Sequence, residues 1–82
     1  MPTVKTSAWI ANALFDRLEL FGVDPACIAR DASFADHGID AFDTALVVQE
    51  VCERYGADIG NRDVTPETTI GEAIALVAAG LG

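Results

Sequence analysis

The sequence predicts an all-α fold, an antiparallel helical bundle with three longer helices and one short helix. Three observations lead there. Apolar residues recur at three- and four-residue spacing in three separate segments. Helix-starting and helix-stopping residues bracket those segments. No stretch alternates apolar and polar residues in the way a half-buried strand requires. With 82 residues, of which 51% are apolar, the chain can bury one modest core, so it reads as a single domain over residues 1–82.

In the first segment Ile10, Leu14, Leu18 and Phe21 form one stripe with Ala13 beside it, while Asn12, Asp16 and Glu19 lie off it. Gly22 supplies the stop. Asp24-Pro25 then pairs an N-cap residue with the residue best tolerated at the first helical position, which predicts a short turn of helix near Pro25 to Arg30. Residues 31–39 read as irregular, anchored by Phe34 and Ile39 turned inward.

The second helix starts at Asp40, whose carboxylate can cap the exposed amides, and Asp43 adds favourable charge to its first turn. Thr44, Val47, Val48, Val51 and Tyr55 line its inner face, and Gly56 ends it. The outward face mixes Phe42, Asp43, Leu46, Gln49, Glu50 and Glu53, and apolar residues there suggest contact with another molecule. A connection through Ile59 and Gly60-Asn61-Arg62-Asp63 follows, with at most one helical turn at Thr65-Pro66. Thr69 and Glu72 make a capping-box pattern, and Ile70, Ala73, Ile74, Val77 and Leu81 form the last stripe.

Charge narrows the range of partners. Thirteen acidic residues against five basic ones give a formal net charge of -8, a surface that repels phosphate backbones and anionic lipid and is drawn to basic protein surfaces. Nucleic acid and membrane are therefore not expected as partners. No run approaches a membrane span and the N-terminus lacks a signal-peptide core. Cys27 and Cys52 make neither a disulfide framework nor a zinc signature, which suits a reducing, cytoplasmic setting.

The stretch Asp36-His37-Gly38-Ile39-Asp40-Ala41-Phe42-Asp43-Thr44, followed by Val47, Val51, Tyr55-Gly56 and Ile59, resembles an acyl carrier protein of fatty-acid or polyketide synthesis. Thr69-Ile70-Gly71-Glu72 also resembles the start of that family's last helix. The resemblance implies a domain that is not an enzyme. It implies a 4'-phosphopantetheine arm on a serine at the start of helix two, carrying an acyl group as a thioester and presenting it to enzymes in turn. The serine position is Ala41, Asp40 precedes it, and Phe42 stands for the usual leucine. By the same resemblance Phe42, Asp43, Leu46, Gln49, Glu50 and Glu53 form the recognition face. The implied partners are a phosphopantetheinyl transferase for the serine form, and ketosynthase, acyltransferase or other acyl-modifying enzymes with basic docking surfaces. A monomer is expected.

Ala41 changes what the motif can do. Loading requires a hydroxyl to attack phosphorus, and a methyl group cannot. Thr44 lies about one helical turn farther on and faces elsewhere. Two explanations follow: an engineered serine-to-alanine change that keeps a carrier unloaded, which is favoured because Gly38, Asp40 and the acidic face still suit cargo transfer, or a natural relative that retains only partner binding or regulation. A peptidyl carrier is a further alternative within the carrier class. His37 where leucine is usual, and Leu46 in place of a common glutamate, point to a specialised pathway with a dedicated partner.

Plainer readings stand beside these. Asp40 and Asp43 can simply cap a helix, Glu67 and Glu72 read as solvated surface, and Leu46 can pack on a loop as readily as meet a partner. His37 reads as a loop residue and Cys52 as a partly buried helix residue, since nothing supplies an orienting group or oxyanion donors for nucleophilic catalysis. Asp36, Asp40 and Asp43 do not make a calcium loop, because Ala41 and Val47 stand where glycine and glutamate are needed. Trp9 reads as a packing or interface aromatic.

Overall fold

The computed structural model describes residues 4–57 and 64–80, with side chains from Ser7 onward. Three helices form the bundle: α1 over Val4–Leu20, α2 over Ala41–Tyr55 and α3 over Ile70–Gly80. The predicted short helix is tighter than expected, a 3-10 turn over Pro25–Cys27, with the Asp24 side chain accepting from the Ala26 amide. A second 3-10 turn, Ala35–His37, lies within the stretch predicted to be irregular. Thr65-Pro66 does not start a helix. The Thr68 amide closes a turn onto the Thr65 carbonyl at 3.0 Å, and the Thr68 hydroxyl accepts from the Thr65 amide. The predicted roles of Ile59, residues 60–63 and Leu81 fall outside the described residues.

The end of α1 explains the one misplaced core residue. The Val23 amide donates to the Leu18 carbonyl at 3.1 Å and the Gly22 amide to that of Glu19 at 3.0 Å, with Gly22 at φ 91. This is the Schellman arrangement, in which the residue after the glycine packs back on the helix. Val23 thereby takes the inward place expected of Phe21, and Phe21 stays 36% exposed. Ile10, Ala13, Leu14 and Leu18 are buried as the stripe predicts.

The core joins these residues to Phe34 and Ile39 of the connection, Val47, Val48 and Val51 of α2, and Ile70, Ala73, Ile74 and Val77 of α3. Helix α1 runs antiparallel to α2. The Arg17 guanidinium meets Glu50 at 3.1 Å, and nearer the other end the Tyr55 hydroxyl donates to the Trp9 carbonyl at 3.2 Å.

The α1–α2 connection is strapped to the start of α3. The amides of Gly71 and Ile70 donate to the carbonyls of Arg30 and Ala32 at 2.8 and 2.9 Å. In return the amides of Phe34 and Ala35 donate to the carbonyls of Thr68 and Pro66 at 3.3 and 2.8 Å. Ser33 and Thr69 form an isolated antiparallel bridge at the centre. A Cβ at position 71 would lie 3.1 Å from the Arg30 carbonyl oxygen, so glycine permits this close approach. The predicted capping box is also formed. The Thr69 hydroxyl accepts from the Glu72 amide and the Glu72 carboxylate from the Thr69 amide, each at 3.1 Å.

Candidate functional site

The site is the start of α2, and its geometry is set from the N-terminal side. Asp40 has extended backbone and its Oδ1 accepts from the Asp43 amide at 2.8 Å, so it is the N-cap expected from the sequence. Ala41 is consequently the first residue of the helix, exposed, with a methyl group facing outward. Asp43 is half-buried in the first turn. Thr44 points into the core with no exposed surface, so its hydroxyl cannot replace the one absent at position 41.

Upstream, Gly38 adopts φ 78, and the amides of Gly38 and Ile39 close back on the carbonyls of Ala35 and Phe34, each at 3.0 Å. The bend needs a left-handed residue, and glycine takes that conformation at little cost. Ser33 and Asp36 brace the turn reciprocally. Asp36 Oδ2 accepts from the Ser33 amide at 3.0 Å, and the Ser33 hydroxyl accepts from the Asp36 amide at 3.1 Å. The bond from the Ser33 amide, with the Ser33 side chain beside it, holds the Asp36 carboxyl below its ordinary value. His37 belongs to this turn rather than to irregular loop, and its ring contacts both Ser33 and Ala29.

The predicted recognition residues divide into two groups. Phe42, Leu46, Gln49 and Glu53, spaced by four, three and four residues, make an outer stripe along α2. Phe42 is 75% exposed, Leu46 half-buried, and Gln49 donates to the Glu53 carboxylate at 3.2 Å. Asp43 and Glu50, two turns apart, lie on the edge toward α1, where Glu50 is paired with Arg17. Glu50 is therefore less free to meet a partner than its sequence position suggests. Cys52 is buried, and burial pushes its thiol up from the ordinary value. It offers no nucleophile at the surface. No group of three or more metal-ligating side chains occurs among the described residues.

Sequence reasoning missed the bracing of the connection. Ser33-Phe34-Ala35-Asp36 carries the spacing of a capping pair and was readable as one. The ring contacts of His37 had no such signal, because Ala29 is brought to it only by the fold. Leu20, 73% exposed at the end of α1, was assigned no place by the stripe pattern.

The family described as the phosphopantetheine attachment site matches residues 18–77, which include the whole of α2 and the connections on both sides of it. No solved structure matches the chain. Proteins of this family use 4'-phosphopantetheine, carry intermediates linked to it, and meet phosphopantetheinyl transferases and acyl-modifying enzymes. Covalent attachment does not fit position 41 of this sequence, since the Ala41 side chain has no oxygen and the nearest hydroxyl along α2, that of Thr44, is buried. The frame around the position is complete all the same: the capping Asp40, the Gly38 bend and the exposed first residue of α2. The chain belongs to the phosphopantetheine attachment site family.

Proposed function

We propose that this chain is a discrete acyl carrier protein of a polyketide or related specialised pathway, in a serine-to-alanine form at position 41 that cannot be loaded. The reading treats residues 1–82 as one cytoplasmic, monomeric, non-enzymatic domain. The observation that carries it is the placement of Ala41 as the exposed first residue of α2 behind the Asp40 cap. When present on a serine, the family's arm supplies a thiol that holds an acyl group as a thioester. The chain's own contribution is to hold position 41 rigidly at a helix start and to offer a docking face beside it.

That face supports a two-part recognition. The net charge of -8 steers the molecule toward basic clefts. Phe42 and Leu46 then offer apolar contact in the first half of the stripe, with Asp43 beside them and Glu53 at its far end. Added salt should weaken the first contribution and spare the second.

The test is to restore the hydroxyl with Ala41→Ser, supply coenzyme A and a broad-specificity phosphopantetheinyl transferase, and measure the intact mass. The expected result is the gain of one arm by the variant and none by the Ala41 chain. An unmodified Ala41→Ser protein beside a modified known carrier overturns the reading. A genomic alanine at this position, with a partner complex that forms without any arm, would instead make the chain a natural interaction module.

A further inference from the structure

The backbone leading into α2 is tied to the first half of the connection by one imidazole. His37 Nδ1 lies 2.8 Å from the Ser33 carbonyl oxygen, and Nε2 accepts from the Ala29 amide at 3.3 Å. A carbonyl can only accept and an amide N–H can only donate. The two contacts together therefore require the neutral ring with its proton on Nδ1.

Both partners sit at structural junctions. Ala29 follows Ile28, which packs against the core, and precedes Arg30, whose carbonyl receives the Gly71 amide from α3. Ser33 belongs to the brace that holds the second 3-10 turn, and that turn ends at Gly38, two residues before the Asp40 cap. His37 thus adds a side-chain link between Ala29 and the turn that delivers position 41, a turn whose first residues, Phe34 and Ala35, are also held by the strap.

We propose that His37 is a positioning residue for the start of α2: its neutral Nδ1-protonated ring clamps the connection that fixes residues 38–41, and a second proton releases the clamp at Ala29. The proposal rests on position 41 being the anchor of the arm. A proton on Nε2 places a donor against the Ala29 donor, so that contact is lost while the Ser33 contact remains. The charged groups on the surrounding elements are Asp36 in the same turn, engaged by the Ser33 amide, Asp24 at the first 3-10 turn, Arg30 and Asp31 next to Ala29, Asp40 at the start of α2, and Glu72 at the start of α3.

Two measurements test this. In the chain as it stands, the Ala29 amide is followed by nuclear magnetic resonance while the His37 ring is titrated and its charge is read from its own ring protons. Its shift should track the imidazole titration, and its hydrogen exchange, corrected for the intrinsic pH dependence, should accelerate about three- to tenfold, the size of one lost hydrogen bond. In the Ala41→Ser background, arm loading by one transferase is compared for His37, His37→Gln and His37→Leu. Glutamine keeps an acceptor for Ala29 without titrating, so it should match His37 where the ring is neutral and exceed it about three- to tenfold where the ring is charged. Leucine should load more slowly in both conditions. A constant ratio between His37 and His37→Gln across them, or an Ala29 amide that ignores the titration, overturns the proposal. If the Ala41→Ser protein takes no arm while a known carrier does, the carrier reading fails, and the Ala29 titration alone decides whether the clamp exists.

Discussion

Replacing Thr44 by valine should make this protein more stable by about 1 kcal/mol, against the usual direction of core substitutions. Thr44 is 0% exposed, and its hydroxyl oxygen has no hydrogen-bond partner among the described residues. A buried polar group left unpaired costs about 1 to 3 kcal/mol. Valine fills nearly the same volume, is equally stiff at χ1 and has a similar helix propensity, so little is lost on the other side. The backbone is indifferent to the change, since the Thr44 amide already donates to the Asp40 carbonyl at 2.9 Å. For a domain of 60–100 residues, 1 kcal/mol corresponds to a rise in Tm of about 4 to 8 °C. Urea denaturation at constant m-value, together with a thermal melt, measures it. Thr44→Ser keeps the hydroxyl and removes the methyl, and should destabilise by about 1 kcal/mol through the small cavity it leaves. A loss of about 1 kcal/mol or more in Thr44→Val would refute the reasoning. It would mean that the hydroxyl bonds back to the carbonyl one turn earlier, as threonines in helices can.

Three further outcomes follow from the same geometry. Thr69→Ala removes the hydroxyl that caps α3 and should cost about 1 kcal/mol, lowering Tm by about 4 to 8 °C; an unchanged melt would show the cap to be redundant with the strap. Asp36 and Glu72 both have carboxyls held below their ordinary values, Asp36 by bonds from Ser33 and Glu72 by bonds from Thr69. Their contribution to stability is therefore fully present above about pH 4.5 and is lost as pH falls through the depressed folded values. The Tm difference between the native protein and Asp36→Ala or Glu72→Ala should accordingly shrink in acid, and a difference that widens there contradicts the assignment. Cys27 is exposed and Cys52 buried, so a thiol reagent near neutral pH should label Cys27 first and reach Cys52 only on unfolding, as peptide mapping with and without urea would show; equal rates would contradict the packing of α2.

Much of this architecture was legible because its signals are local. Asp40 as cap, Gly56 as stop and the Thr69–Glu72 pair each depend on residues within one turn, and periodicity then assigns the buried faces of α2 and α3. Phe21 shows where periodicity fails. Its spacing from Leu18 is helical, but Gly22 turns the chain after Leu20 and gives Val23 the inward place. The strap was not legible, since its bonds pair residues 30–35 with residues 66–71, and no local pattern announces a ladder with a single bridge. The candidate site divided along the same line. Ala41 and its cap were readable, whereas the engagement of Glu50 by Arg17 depended on how α1 and α2 meet.

The start of α2 is built so that the side chain at position 41 takes no part in fixing it. The start of α2 is fixed by Asp40 through the Asp43 amide, by the left-handed Gly38 and by the strap to α3, and none of these passes through the side chain of residue 41. That side chain is exposed and stands at the first helical position, where alanine is at least as good a helix former as serine. The stability of the fold therefore does not depend on an oxygen at this position. The outer stripe of α2 is equally independent of it, since Phe42, Leu46, Gln49 and Glu53 are placed by helical repeat alone. On the proposed reading, a chain of this design separates two functions that a loaded carrier performs together: it forgoes covalent attachment and keeps the surface from Phe42 to Glu53 for a partner.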